Sequence, residues 1–123
     1  MMHNSITVFT VKDVAASAAY YRDKLGFDLA FEYGQPTFYA GVCSGKVTLH
    51  LISAARTPRQ PGHGAVTIDV DDVDALHADL VKRGAKVLKA PANYDYGLRD
   101  FDVADLDGNM LFFGMESKAG KDQ

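Results

Sequence analysis

The fold is decided by residues 6–27, ITVFTVKDVAASAAYYRDKLGF, because the second half of the chain repeats their pattern. Val11-Lys12-Asp13-Val14 and Leu25-Gly26-Phe27 in the first copy match Val70-Asp71-Asp72-Val73 and Arg83-Gly84-Ala85 in the second, at offsets of 59 and 58 residues. A further match, at an offset of 63, relates the turn Ser44-Gly45-Lys46 to Asp107-Gly108-Asn109. A period of about half the chain indicates a duplicated supersecondary unit, and such units often build a site between their copies.

The composition fits one domain and excludes several classes of partner. The chain has 123 residues, of which 47% are apolar, enough for one hydrophobic core but small for two. The net charge of -3 comes from interspersed charges, so we expect no nucleic-acid or membrane partner. No apolar stretch approaches the roughly 20 residues of a membrane span, and residues 1–5 lack the features of a signal peptide. The single Cys43 excludes an internal disulfide, which favours the cytoplasm.

The first repeat, residues 6–53, has the pattern of a βαβββ unit. Its opening strand, residues 6–11, leads into a helix at residues 14–24 that Asp13 can cap and Gly26 can terminate. Strand-like runs separated by short turns follow at residues 28–33, 37–42 and 47–52. A connector rich in Pro and Gly, residues 54–64, links this unit to the second.

The second repeat, residues 65–115, follows the same order. We predict strands at residues 65–70, 86–88, 98–104 and 110–115, and a helix at residues 72–83. The loop at residues 90–97 is longer than its counterpart, and long loops often carry ligand contacts. Residues 116–123 are predicted to be a frayed tail. The chain as a whole, residues 1–123, is therefore predicted to be a single α+β domain.

Several of these motifs resemble those of one superfamily. They are Tyr20-Tyr21-Arg22-Asp23-Lys24-Leu25-Gly26-Phe27, Tyr96-Gly97-Leu98-Arg99-Asp100-Phe101 and Asp105-Leu106-Asp107-Gly108-Asn109. They resemble the vicinal oxygen chelate superfamily of glyoxalases, bleomycin-resistance proteins and dioxygenases, and most of all its bleomycin-resistance-like members. The resemblance implies two βαβββ repeats that form a cup-shaped mixed sheet, with helices on the outer face and a ligand or metal in the mouth. It also implies a homodimer in which the partner chain completes the cup.

Metal-binding members of the superfamily place ligands on the first and last strands of each unit. By resemblance, the first-strand positions here are Ile6 and Ala65, and the last-strand position after the Asp-Gly turn is Phe112. The internal repeat relates Phe112 to Leu49. A divalent ion needs three or four nitrogen, sulfur or oxygen ligands, which these side chains do not supply. We therefore predict no metal and no other cofactor.

Three donor residues leave a metal-dependent alternative open. His50 lies on a last strand but out of phase with Leu49, so we expect its side chain to point away from the cup. His63 lies in the connector, where a solvated loop histidine is the simpler interpretation. Together with Asp69, these histidines could form a shifted ligand set, and the protein would then be a metal-dependent lyase, isomerase or dioxygenase.

Strand alternation and the superfamily motifs together identify candidate ligand contacts. Tyr94 and Tyr96 could stack on a planar ligand or simply pack in their loop. Arg99 and Asp100 could orient a carboxylate or amide of the ligand, or form an ion pair that ties the loop to the sheet. The predicted ligand-binding residues are Ile6, Val8, Leu49, Thr67, Tyr94, Tyr96, Arg99, Asp100, Met110 and Phe112.

These observations favour a metal-independent protein that binds a small organic molecule. It resembles bleomycin-resistance proteins, which implies that it sequesters an aromatic or amphipathic ligand in an apolar cup and confers antibiotic resistance. No catalytic residue is predicted, because the sequence contains no nucleophile constellation and no phosphate-binding glycine loop. Whether the protein is an enzyme stays open at this point.

Overall fold

The computed structural model describes residues 1–117, in which two βαβββ units follow one another. The first unit consists of β1 (Thr7–Val11), α1 (Val14–Asp23), β2 (Asp28–Tyr33), β3 (Tyr39–Ser44) and β4 (Val47–Ser53). The second consists of β5 (Ala65–Asp69), α2 (Val73–Arg83), β6 (Lys86–Asn93), β7 (Leu98–Ala104) and β8 (Met110–Glu116). The connector between them begins with a 3-10 helix, Ala54–Arg56. The predicted α+β fold of two repeats is confirmed.

Each unit forms its own four-stranded mixed sheet. The strand orders are β1-β4-β3-β2 and β5-β8-β7-β6, in which the first strand runs parallel to the last and the other neighbours are antiparallel. In each unit the helix packs against one face of the sheet, which we call the helix face. We call the opposite face, which corresponds to the predicted lining of the cup, the open face. No helix in residues 1–117 is long and apolar enough to cross a membrane.

Short-range signals set the ends of both helices. The side chains of Asp13 and Asp72 accept hydrogen bonds of 3.0 Å from the backbone N–H three residues later, as capping residues do. Helix α2 ends at Gly84, whose φ of 84° lies in the left-handed region that glycine tolerates best. The C-cap of α1 is Lys24, so the prediction that Gly26 terminates this helix is wrong; Gly26, with a φ of 75°, lies in the turn into β2.

The largest departure from the predicted elements concerns β6. This strand continues through Pro91 to Asn93, so the predicted loop at residues 90–97 is reduced to residues 94–97. Proline is tolerated here because β6 is the outermost strand of its sheet, and the ladder to β7 has register shifts on both sides of Lys89. At the C-terminus, β8 includes Glu116, the first residue of the predicted tail; residues 118–123 of that tail lie outside the described residues.

A buried carboxylate organises the turn between β7 and β8. Asp105 is 0% exposed, and its Oδ1 accepts hydrogen bonds of 2.9–3.0 Å from the backbone N–H groups of Asp107, Gly108 and Asn109. Its Oδ2 accepts from the Tyr21 hydroxyl of α1 at 2.9 Å and from the Asn109 amide at 3.0 Å. Five donors therefore compensate the desolvation of one charge, and one of them comes from the other unit.

Asn109 extends this network across the junction of the two units. Its side-chain nitrogen donates to the backbone carbonyl of Thr10 in β1 at 3.1 Å, and its oxygen accepts from the N–H of Gly64 at 2.8 Å. A side chain at Gly64 would collide with the ring of Phe9, so only glycine allows the chain to pass this close to β1. The turn before β8 and the connector end before β5 are therefore both held against β1 of the first unit.

Replacement of Asp105 by Asn should destabilise the protein strongly. An amide accepts through one oxygen only, and its NH2 group would face donors that now bind a carboxylate. We expect Asp105→Asn to lower the free energy of unfolding by about 2–4 kcal/mol, measured by urea denaturation. Asp107→Asn is the matched control, because the Asp107 side chain accepts one exposed hydrogen bond from Lys12, and its loss should cost under about 0.5 kcal/mol. If Asp105→Asn lowered the free energy of unfolding as little as Asp107→Asn does, this account would be contradicted.

Tyr21 should make the protein sensitive to alkali. Burial, followed by the nearby Asp105 carboxylate, raises the pKa of Tyr21 well above its ordinary value. The folded protein therefore holds this proton more tightly than the unfolded chain, so the stabilisation is complete below about pH 10 and is lost as the pH rises further. We expect urea midpoints to fall as the pH rises above about 10.

In Tyr21→Phe, the urea midpoint should fall less steeply as the pH rises above about 10. The lost hydrogen bond should also lower the free energy of unfolding by about 1–2 kcal/mol at pH 8. A smaller slope should remain, because burial also raises the pKa of Tyr20. Tyr33→Phe, at a side chain that is 63% exposed, serves as the control and should leave the slope unchanged. An equally steep slope in Tyr21→Phe would rule out the proposed origin.

Candidate functional site

The open face of the first sheet carries two of the predicted ligand contacts. Val8 lies in the middle of β1, beside His50 of β4, and is exposed. Ile6 directly precedes β1 and is also exposed. Both side chains are therefore accessible, as predicted, although their contact with a ligand stays a prediction.

The orientations predicted for Leu49 and His50 are wrong. Leu49 is only 1% exposed and belongs to the core on the helix face, whereas His50 lies on the open face between Val8 and Gly41. The cause is that the two turns differ in length by an odd number of residues: two residues lie between β3 and β4, and five lie between β7 and β8. The residue numbers of the paired positions Gly41 and His50 differ by nine, but those of Asp102 and Phe112 differ by ten. The two copies are thus related by an offset of 63 in these turns but of 62 in β4 and β8. A shift of one residue along a strand exchanges its two faces, so Phe112 corresponds to His50 and not to Leu49.

Four rings form an aromatic cluster on the open face of the first sheet. The Tyr39 hydroxyl lies 2.8 Å from His50 Nδ1, and the Phe31 ring lies 5.2 Å from the His50 ring and 5.6 Å from that of Tyr33. The Phe31 and Tyr39 rings are nearly parallel, with centroids 6.2 Å apart. Gly41 makes this possible, since a side chain there would collide with Phe31. The alternation of Phe31 and Tyr33 in β2 was the available sequence signal for this cluster.

The open face of the second sheet carries three further predicted contacts. Thr67 of β5 lies beside Phe112 of β8, and Ala65 lies beside Met110. Phe112 and Met110 are half-buried, and Thr67 is exposed. The predicted orientation of Thr67, Met110 and Phe112 towards one face is therefore observed.

A second cluster, which combines charged and aromatic side chains, lies farther out on this open face. The Tyr96 hydroxyl donates to Asp100 at 2.9 Å, and Lys89 Nζ lies 3.3 Å from Asp100 and 3.8 Å from Asp102. The same Nζ lies 4.3 Å from the centre of the Tyr94 ring. Contact with Tyr94, and then with the two carboxylates, raises the pKa of Lys89, which therefore stays charged. The structure thus brings Tyr94, Tyr96 and Asp100 together, as expected for one site.

Arg99 does not join this cluster. Successive side chains of a strand point to opposite faces, so Arg99 lies on the side opposite Asp100. Its guanidinium donates to Asp74, in the first turn of α2, at 2.7 and 2.9 Å, and to Asn93 at 3.2 Å. This contact lowers the pKa of Asp74. Arg99 and Asp100 therefore lie on opposite faces of β7, and Arg99 holds β7 against α2; their contact with a ligand stays a prediction.

The donor set does not fit the metal of the superfamily. With the corrected register, the four superfamily ligand positions fall on Ile6, His50, Ala65 and Phe112, of which His50 alone carries a donor. The Nδ1 of His50 already faces the Tyr39 hydroxyl. Within residues 1–117, no group of three or more His, Cys, Asp or Glu side chains is placed to hold a metal ion. No metal-dependent step is therefore assigned to this face.

Comparison with known proteins agrees with this architecture. Residues 4–113 match the family model of the Glyoxalase/Bleomycin resistance protein/Dioxygenase superfamily. The chain belongs to this superfamily. No curated protein matched the sequence.

Solved structures of superfamily type cover nearly the whole chain. TioX from Micromonospora sp. ML1 has a TM-score of 0.81 and 19% identity, with 94% of this chain and 100% of that chain covered. TnmS3, an antibiotic binding protein from Streptomyces sp. CB03234, has a TM-score of 0.76 and 27% identity, with 95% and 99% covered. A glyoxalase/bleomycin resistance protein from Catenulispora acidiphila DSM 44928 has a TM-score of 0.75 and 27% identity, with 93% and 98% covered. The structural neighbours thus include an antibiotic binding protein.

Proposed function

We propose that this protein binds a planar aromatic or amphipathic small molecule on its open faces, without a metal, and protects the cell by sequestering it. The observation that carries the proposal is the aromatic cluster formed by Phe31, Tyr33, Tyr39 and His50. Aromatic side chains hold planar ligands by offset or edge-to-face stacking. Ligand sites commonly combine such apolar surface with a few polar groups that fix the orientation, a role that Asp100 and Lys89 suit.

The likeness to TnmS3 supports an antibiotic as the class of ligand. That protein is an antibiotic binding protein, and it shares 27% of its residues with this chain over almost the full length. Sequestration requires only tight binding, so it is compatible with a site that lacks an evident catalytic group. The cytoplasm stays our prediction for the location, on the basis of the unpaired Cys43.

The arrangement of the donor residues supports the metal-independent form of this proposal. His63 lines a cavity beside β1, Asp69 lines another at the ends of β3 and β5, and His50 lines neither. A metal ion requires its ligands to converge within about 2.0–2.6 Å of one point. Within residues 1–117, no three His, Cys, Asp or Glu side chains are placed to hold a metal ion, and this includes the shifted set of His50, His63 and Asp69.

The proposal predicts binding of a neutral planar probe. We expect 2-(hydroxymethyl)anthraquinone to bind in isothermal titration calorimetry, and Phe31→Ala and Phe112→Ala each to weaken it about tenfold, a loss within the range for one stacked ring. Val81→Ala is the control, because Val81 lies on α2, away from the open faces, and is 54% exposed. Equal affinity in all variants would contradict binding on the open faces.

The same titration tests metal independence. Protein dialysed against EDTA should bind the probe with unchanged affinity, because no metal takes part in the proposed contacts. A loss of binding after dialysis, restored by added divalent metal, would favour the metal-dependent alternative.

We further propose that the protein is a homodimer that covers part of the open faces. Val8 and Tyr33 are exposed on the open face of the first sheet, and Leu88 and Tyr96 are exposed near that of the second. Apolar surface of this kind in a small chain is typical of association sites. Sedimentation velocity should give a dimer for the wild type, a shift towards monomer for Val8→Asp, and no shift for the control Val81→Asp. A monomeric wild type would contradict the proposal.

A further inference from the structure

The connector passes over the open face of β1 and encloses a small cavity there. The cavity has a volume of about 250 Å³ and is lined by Val8, Thr10, Arg59, Gln60, His63 and Gly64. Gly64 is held in place from both sides: its N–H donates to Asn109, and its carbonyl accepts from the N–H of Met110 at 2.9 Å. The connector end that carries His63 is therefore positioned by the same network that joins the two units.

The polar groups of this cavity are suited to a negative charge. Its lining supplies a guanidinium, an imidazole, a side-chain amide and a hydroxyl, and it contains no carboxylate. The connector, residues 54–64, has two arginines and one histidine but neither Asp nor Glu, although the chain as a whole has a net charge of -3. This local excess of positive charge is therefore a feature of the connector.

Arg59 differs from the other arginines of the chain. Arg22, Arg83 and Arg99 each form an ion pair with an aspartate, and Arg56 lies over the ring of Phe38 at 3.9 Å. Arg59 has no ion-pair partner within residues 1–117. Its guanidinium therefore has paired N–H donors available for an external anion.

We infer that this cavity binds an anionic group of the ligand, such as a carboxylate or sulfonate attached to an aromatic ring, with Arg59 as the principal contact. This inference rests on the proposed function, since it adds a charge preference to the aromatic ligand. The volume is below the roughly 300–1,000 Å³ of a complete ligand pocket, so the cavity fits a substituent. Val8 at its edge is continuous with the open face, over which the rest of the ligand would extend.

Three anthraquinone probes whose one substituent is negative, neutral or positive test this inference. They are anthraquinone-2-carboxylate, 2-(hydroxymethyl)anthraquinone and 2-(aminomethyl)anthraquinone, compared by calorimetry in low salt. We expect the carboxylate to bind about tenfold more tightly than the alcohol, and the amine to bind most weakly, because a charge-assisted hydrogen bond contributes on this scale. Arg59→Gln should remove the advantage of the carboxylate and leave the affinity for the alcohol unchanged.

Arg56→Gln is the matched control, because Arg56 belongs to the same connector but stacks on Phe38 and does not line the cavity. It should leave all three affinities unchanged. Equal binding of the three probes to the wild type, or equal weakening of the carboxylate and the alcohol by Arg59→Gln, would overturn the inference while leaving the proposed function intact. Failure of all three probes to bind would overturn both.

Discussion

The buried carboxylate of Asp105 controls how the two units of this protein are joined. A charge without solvent is stable only when donors surround it, and Asp105 has five, of which the Tyr21 hydroxyl belongs to the other unit. The directional bonds to Asp105 and Asn109 therefore fix one relative position of the sheets, whereas the apolar core alone would tolerate several. The shape of the open faces depends on this junction.

The same network also sets the position of the connector. Asn109 binds both β1, through the Thr10 carbonyl, and Gly64, the last connector residue before β5. The cavity that contains Arg59 and His63 lies between these two attachment points. A polar network that stabilises the fold thus also holds the connector over the open face. A connector that is already ordered loses less conformational entropy when a ligand binds.

The sequence predicted the repeat, the order of helices and strands along the chain, the Asp13 cap and the end of α2 at Gly84, because these depend on local signals. It failed where distant parts of the chain decide the outcome. The turn between β7 and β8 is longer than that between β3 and β4 by an odd number of residues, so matching the turns assigned Leu49 instead of His50 to the open face. The aromatic cluster also depends on pairing between β2, β3 and β4, so its members are adjacent only in the folded sheet.

The two copies of the duplicated unit have diverged into different roles. Tyr21, whose hydroxyl binds Asp105, corresponds at the offset of 59 to Leu80, which has no polar group to offer. Where the turn after β3 approaches residues 69–71, the structure has a cavity of about 510 Å³ in place of a buried polar network. Within residues 1–117, only one of the two related junctions is thus closed by directional bonds. The two open faces differ in the same way, since one carries aromatic rings and the other a charged cluster.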